Sequence, residues 1–294
     1  MLAASLVRRK TKIKCMPNQT DVCAIESAVD AGEQQSRNRK IASNESQSYD
    51  CGSADGFDIE SVAINGITWL LDLQNRDGGM PTFCQGWGML PFDKSSTDIT
   101  AHAIRAFQAW RKKLTHDKPW DYLHGKMQRA EERMFAFLRC LQQPDGSWLP
   151  LWFGNQYMPG EANPCYGTAK VLLALAETRR EDAMTYNGLR YLLASQNADG
   201  GWGNSVEETA VVVEALAAVL AAPSAERDEP VTAAYHRGLN WLLEAVESDR
   251  FMETSPIGLY FASLWYYEDL YPIIFTASAL RRALASPSMN EENL

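Results

Sequence analysis

Trp69-Leu-Leu-Asp-Leu-Gln74-Asn-Arg-Asp77-Gly78-Gly79, Phe137-Leu-Arg-Cys-Leu-Gln142-Gln-Pro-Asp145-Gly146-Ser-Trp148 and Tyr191-Leu-Leu-Ala-Ser-Gln196-Asn-Ala-Asp199-Gly200-Gly201-Trp202 are three versions of one phrase. In each, a helical run ends and passes through Gln into an Asp-Gly turn. Gly reaches positive φ without steric cost, so Asp-Gly is a turn with a mechanism behind it. A fourth version, Trp241-Leu-Leu-Glu-Ala-Val-Glu247, keeps the helix and loses the turn. Self-similarity at roughly fifty to seventy residues marks a repeat architecture.

Working outward, each turn leads to a second helix opening in Thr-Ala: Thr100-Ala-His-Ala-Ile-Arg-Ala-Phe107, Thr168-Ala-Lys-Val-Leu-Leu-Ala-Leu175 and Thr209-Ala-Val-Val-Val-Glu-Ala-Leu216, with Thr276-Ala-Ser-Ala-Leu280 as a fourth. These are apolar on most faces, as befits helices buried between neighbours. The preceding helices, such as Arg129-Ala-Glu-Glu-Arg-Met-Phe-Ala-Phe-Leu138, are more amphipathic. Each unit is therefore a hairpin with one outer and one inner helix, and the class is all-α. Stacked hairpins form either a solenoid or a double-ringed α/α barrel, and periodicity alone leaves both open. Four hairpins are visible, two fewer than a closed six-hairpin ring.

Composition bounds the rest. A chain of 294 residues, 46% hydrophobic, buries a real core. A net charge of −9 argues against nucleic-acid binding, which needs clustered Lys and Arg. One basic run, Arg8-Arg9-Lys10 with Lys12 and Lys14, reads as a solvated tail or as a contact for an anionic membrane surface. The six cysteines form no Cys-x-x-Cys pair, which points to a reducing cytoplasm. The start lacks the charge order of a secretory signal. The longest apolar region, Ala210 to Ala222, is interrupted by Glu214 and is too short to span a bilayer. Residues 1–55 are polar and without sustained periodicity, and are expected to be a disordered tail. Residues 56–294 form the helical domain.

The Gln-x-x-Asp-Gly-(Gly/Ser)-Trp repeat resembles the QW motif of triterpene cyclases, the squalene-hopene and oxidosqualene cyclases. Three flanks carry the likeness further: Ser96-Thr-Asp98-Ile-Thr100-Ala-His102, then Trp148-Leu-Pro-Leu-Trp152-Phe-Gly-Asn155-Gln-Tyr157, then Tyr166-Gly167-Thr168. A fourth, Tyr260-Phe261 through Tyr267 to Tyr271-Pro272, resembles the family's aromatic-rich closing segment. Together they are similar to the C-terminal half of a bacterial squalene-hopene cyclase. The resemblance implies an α/α toroid (α6-α6 barrel-like), here incomplete. It also implies protonation-initiated cyclisation of squalene in triterpenoid or hopanoid biosynthesis, with no cofactor and no metal. Such chemistry needs a strong acid, π-faces for the carbocation and exclusion of water.

The resemblance places cavity aromatics at Trp152, Tyr157, Tyr260 and Tyr267, each of which reads equally as ordinary core. It makes Gln74, Asp77, Gln142, Asp145, Trp148, Gln196, Asp199 and Trp202 structural, and Trp69 with them as packing between hairpins. The family's acid, an Asp-x-Asp-Asp motif, is absent from the sequence, so no catalytic residue is assigned. The nearest imitation, Ser205-Val-Glu207-Glu208, reads better as a helix capping box, and Ser95-x-x-Asp98 likewise. His102 reads as a hydrogen-bonded core histidine.

A chain with the scaffold and without the acid is expected to be inactive alone. The expected partners are squalene or another isoprenoid lipid, a missing domain or partner chain, and a peripheral membrane surface, from a cytoplasmic location. The rival reading is a non-catalytic α/α scaffold binding a prenyl lipid or a protein. A protein prenyltransferase β subunit fits less well: Asn163-Pro-Cys165 lacks the Asp of the zinc-binding Asp-x-Cys.

Overall fold

The computed structural model describes residues 59–85, 93–113, 118–176, 178, 182–221, 229–259 and 264–285. Residues 1–55 and Tyr260 lie outside them. Eight α-helices are present among the described residues: α1 (Ile59–Leu73), α2 (Thr97–Arg111), α3 (Lys118–Leu141), α4 (Pro164–Leu175), α5 (Ala183–Ala194), α6 (Val206–Leu220), α7 (Glu229–Glu247) and α8 (Leu270–Leu284). In chain order they are four outer–inner units, α1/α2 to α7/α8, and in space each inner helix packs on the outer helix that follows it, α2 on α3, α4 on α5 and α6 on α7. The inner helices follow one another, α2 against α4, α4 against α6 and α6 against α8. The chain thus builds four units of an all-α, α/α toroid.

Inner and outer helices differ as their sequences require. Every residue of α4 except Pro164 is buried, and every residue of α6 except Leu220. Helix starts follow local chemistry. Asn163 caps α4 by accepting from Tyr166 N at 3.1 Å, with Pro164 in the first turn where no amide hydrogen is needed. Asp182 caps α5 by accepting from Met184 N at 3.0 Å.

The repeated phrase is a clasp between successive units. Gln74 Nε2 donates to Gly78 O at 2.8 Å and to Ala130 O of the next outer helix at 3.0 Å. Gln142 Nε2 reaches Gly146 O and Met184 O, both at 2.9 Å. Gln196 Nε2 reaches Gly200 O at 2.8 Å and Ala234 O at 2.9 Å. The turns themselves are held by Asp77, Asp145 and Asp199, whose Oδ1 accepts from the amide two residues on, at 2.9, 2.9 and 3.0 Å. Gly78, Gly146 and Gly200 adopt φ of 95°, 97° and 99°, and a Cβ there would strike the backbone of Arg133, Asn187 and Arg237.

Trp148 and Trp202 complete the clasp. Both are buried, and their indole nitrogens donate to Leu138 O and Leu192 O at 2.7 Å. Their backbone amides donate to Thr168 and Thr209 Oγ1, and the amide of Met80, which replaces the Trp in the first unit, donates to Thr100 Oγ1. The Thr of each Thr-Ala opening therefore ties the inner helix to the preceding turn. In the fourth unit, which has no such turn, Thr276 Oγ1 is buried with no hydrogen-bond partner among the described residues.

Three details depart from the sequence reading. Trp69 does not pack between hairpins but is 58% exposed, because no earlier turn among the described residues covers it. Ser95 does not cap α2: it lies in a two-residue strand, β2 (Ser95–Ser96), paired with β1 (Met80–Pro81), and donates to Asp77 Oδ1 at 2.8 Å. A second ribbon, β3 (Ile257–Leu259) with β4 (Leu264–Tyr266), precedes α8.

Candidate functional site

The N-terminal ends of α4, α6 and α8 converge on a small recess that opens to solvent. Four aromatic rings form one wall. Phe153 stacks on Tyr166 with centroids 4.5 Å apart, and Tyr271 stacks on Phe275 at 5.4 Å. The two pairs meet at 6.1 Å (Phe153 to Tyr271) and 6.4 Å (Tyr166 to Phe275). Spacing on one helix explains the second pair, since Tyr271 and Phe275 are four residues apart on α8. Lys170 lies behind this wall, its Nζ 5.2 Å from the Tyr166 ring centroid and 4.8 Å from that of Phe275.

Carboxylates and amides form the other wall. Glu208 is the capping residue expected of it: its backbone N donates to Ser205 Oγ at 3.1 Å. Its carboxylate accepts from Asn204 N at 3.0 Å, Ser205 Oγ at 3.2 Å and Asn155 Nδ2 at 2.9 Å. Burial pushes the Glu208 carboxyl above the usual range, against the pull of those donors. Glu207 accepts from Ser255 N at 3.0 Å through one oxygen, and its other oxygen is buried without a partner among the described residues. Beside them, burial first and the charge of Glu208 second push the Cys165 thiol up to about 12, which leaves it inert as a nucleophile.

The residues singled out from sequence fall in different places. Trp152 is buried, donates from Nε1 to Thr82 Oγ1 and meets Phe83 edge to face at 5.8 Å. Tyr157 lines the recess and is 61% exposed. Tyr267 is exposed. Phe153, Tyr166, Tyr271 and Phe275 were not singled out, although Tyr166 stands in the Tyr-Gly-Thr match and Tyr271 ends the aromatic-rich segment. His102 is not a core residue: it lies on an open face of α2. Enough protein still surrounds its ring to lower its pKa to about 4, through burial first and then the charges of Lys170 and Arg105. Asp98, fully buried, accepts from Ser96 Oγ; burial raises its pKa, and its second oxygen has no partner among the described residues.

Among the described residues, no group of three or more His, Cys, Asp or Glu is placed to hold a metal ion. None of the described helices is long and apolar enough to cross a membrane.

Stacked hairpins with Gln-Asp-Gly clasps, and an aromatic recess at the N-termini of the inner helices, define a cyclase-type α/α scaffold. The squalene-hopene cyclase C-terminal domain family matches residues 54–283, and the chain belongs to that family. It is 28% identical to an enfumafungin synthase of Hormonema carpetanum, covering 69% of this chain and 16% of the relative. A drimenyl diphosphate synthase of Streptomyces showdoensis is 29% identical, over 74% of this chain and 37% of the relative. Among solved structures, an ent-copalyl diphosphate synthase from Streptomyces platensis superposes with a TM-score of 0.53 at 28% identity, over 73% of this chain and 36% of that one. The chain thus spans well under half the length of these relatives.

Proposed function

We propose that this chain supplies the C-terminal wall of an isoprenoid cyclisation cavity and acts on squalene or another isoprenoid once a further protein portion completes the ring. The four-ring cluster of Phe153, Tyr166, Tyr271 and Phe275 carries this reading, because aromatic rings lining a recess suit a carbocation on the side away from Lys170, whose ammonium lies against Tyr166 and Phe275. Trp152, Tyr157, Tyr260 and Tyr267 are proposed as further cavity aromatics. The helical domain is taken as residues 56–294. The relatives support the reaction class: two are synthases of drimenyl and ent-copalyl diphosphate, and the family is named for squalene-hopene cyclase.

The acid is not in this chain. Glu208 lines the recess but is engaged in the capping box and with Asn155, and burial raises its pKa, which weakens a proton donor. On α8, Leu270, Ile273 and Ile274 are exposed, whereas the residues that match Ile273 and Ile274 on α4 and α6 (Cys165, Tyr166, Val206 and Glu207) are buried. That apolar face supports completion by a missing portion, and a membrane-surface location fits so apolar a substrate.

Incubating the purified chain with squalene, and separately with geranylgeranyl diphosphate, tests the reading by mass spectrometry of extracted products. No cyclic product is expected from the chain alone. Cyclisation at ordinary rates would overturn the conclusion that the acid lies elsewhere. The missing Asp-x-Asp-Asp motif favours a second reading, a non-catalytic prenyl-lipid or protein-binding scaffold. A chain that binds isoprenoid yet stays silent when joined to an acid-bearing N-terminal half of a relative would establish that reading instead.

A further inference from the structure

Every outer helix after the first is received by the unit before it in a fixed way. A backbone carbonyl accepts the preceding Gln: Ala130, Met184 and Ala234 do so. One turn later, Gly188 lies under Trp148 and Gly238 under Trp202, so close that a Cβ would come within 2.8 and 2.5 Å of the indole. A further turn on, Phe137 and Trp241 lie against Gly79 and Gly201 of the preceding Asp-Gly turns.

Counting back from the Gln of each unit puts Val62, Gly66 and Trp69 at these three positions of α1. Among the described residues, nothing occupies the place that the preceding unit would fill. Val62 is 55% exposed and Trp69 58%, and a Cβ built on Gly66 meets no atom within 4 Å. A mid-helix glycine in open space has no local use, since it costs about 0.5–1 kcal/mol relative to Ala. It has a use if an indole is to lie on it.

We propose that this face of α1 is a socket for a Gln-x-x-Asp-Gly-x-Trp turn presented by a partner polypeptide of the same helical-hairpin kind. Residues 1–58 do not carry such a turn: their one Asp-Gly, Asp55-Gly56, has Gly52 where the Gln must stand and leaves no room for an inner helix before α1. A second copy does not fit either, because its three turns are closed on its own next outer helices. The Gln amide would donate to Val62 O, the indole would cover Gly66, and Trp69 would lie across the turn.

This deepens the reading that another protein portion completes the ring. Binding is measured without substrate, so either idea can fail alone. The probe is a labelled peptide of residues 183–204, which carries the Gln196–Trp202 turn, titrated with the full chain and followed by fluorescence anisotropy. Saturable binding is expected, weakened at least about tenfold by Gly66→Leu in the protein and by Trp202→Ala in the peptide. Gly66→Leu has room in the free chain, so its melting temperature should not fall. Absence of binding, or binding unchanged by Gly66→Leu, overturns the proposal. So does a dimer, seen by light scattering, that Gly66→Leu dissolves, since a second copy would then be the occupant.

Discussion

Gly188 of α5 lies flat beneath the indole of Trp148, and a Cβ there would sit 2.8 Å from the ring and 3.2 Å from Leu172. Both neighbours belong to the buried core. Gly188→Ala should therefore destabilise the protein by about 1–3 kcal/mol, the usual cost of overpacking. The matching change at the unoccupied equivalent, Gly66→Ala, should be neutral or stabilise by up to about 1 kcal/mol through helix propensity. Urea unfolding of the two variants measures the contrast, and equal effects would refute it.

Loss of a clasp should be felt in proportion to its two bonds. Gln74 is the most buried of the three, 7% exposed, and Gln74→Ala leaves Gly78 O and Ala130 O without their donor. The expected cost is about 1–3 kcal/mol. Gln74→Glu should cost more at neutral pH, because a carboxylate would face two carbonyl oxygens. Thermal melts at pH 7 decide the order.

The threonines that open the inner helices offer a paired test. Thr209 Oγ1 accepts from Trp202 N and donates to Trp202 O, whereas the Thr276 hydroxyl has no partner among the described residues. Thr209→Val should cost about 1–3 kcal/mol by leaving a buried amide unpaired. Thr276→Val should be neutral or stabilising, since it removes an unsatisfied polar atom. A loss at Thr276 as large as that at Thr209 would mean that its hydroxyl has a partner.

Lys170 imposes a pH dependence of definite sign. Burial lowers its pKa from 10.5 to about 8, with Glu214 and Asp98 opposing that shift and Arg105 adding to it. Between pH 8 and 10.5 the unfolded chain binds more protons here than the folded one, so stability should rise across that window. Lys170→Met should abolish the rise and raise stability below pH 8. Denaturation midpoints at pH 7, 8, 9 and 10 check both statements.

The hairpins were legible because their signals are local. Gln74, Asp77 and Gly78 are near neighbours, and the step from each turn to Thr100, Thr168 or Thr209 repeats often enough to show four units. The aromatic recess was not, because Phe153, Tyr166 and Tyr271 reach it from three separate segments and meet only in the stacked structure. The same limit misled the reading of α2. Ser95 and Ser96 both satisfy a capping pattern, and only the pairing of Ser95 with Pro81 shows that it belongs to a strand. His102 lies in an apolar sequence, yet the side of α2 that carries it is left open.

Each Gln of the clasps donates its amide hydrogens to main-chain oxygens, and at Gln196 the side-chain oxygen also accepts from Arg237 Nη2 of the next outer helix. The bonds that Gln donates therefore make no demand on the side chain at the accepting position, and the residue choice is exerted elsewhere on the helix, at Gly188 and Gly238 beneath the indoles. Met184 serves as well as Ala130 and Ala234, because only the carbonyl is used. Such a joint leaves the accepting position free to change side chain without loss of the bond between neighbouring hairpins.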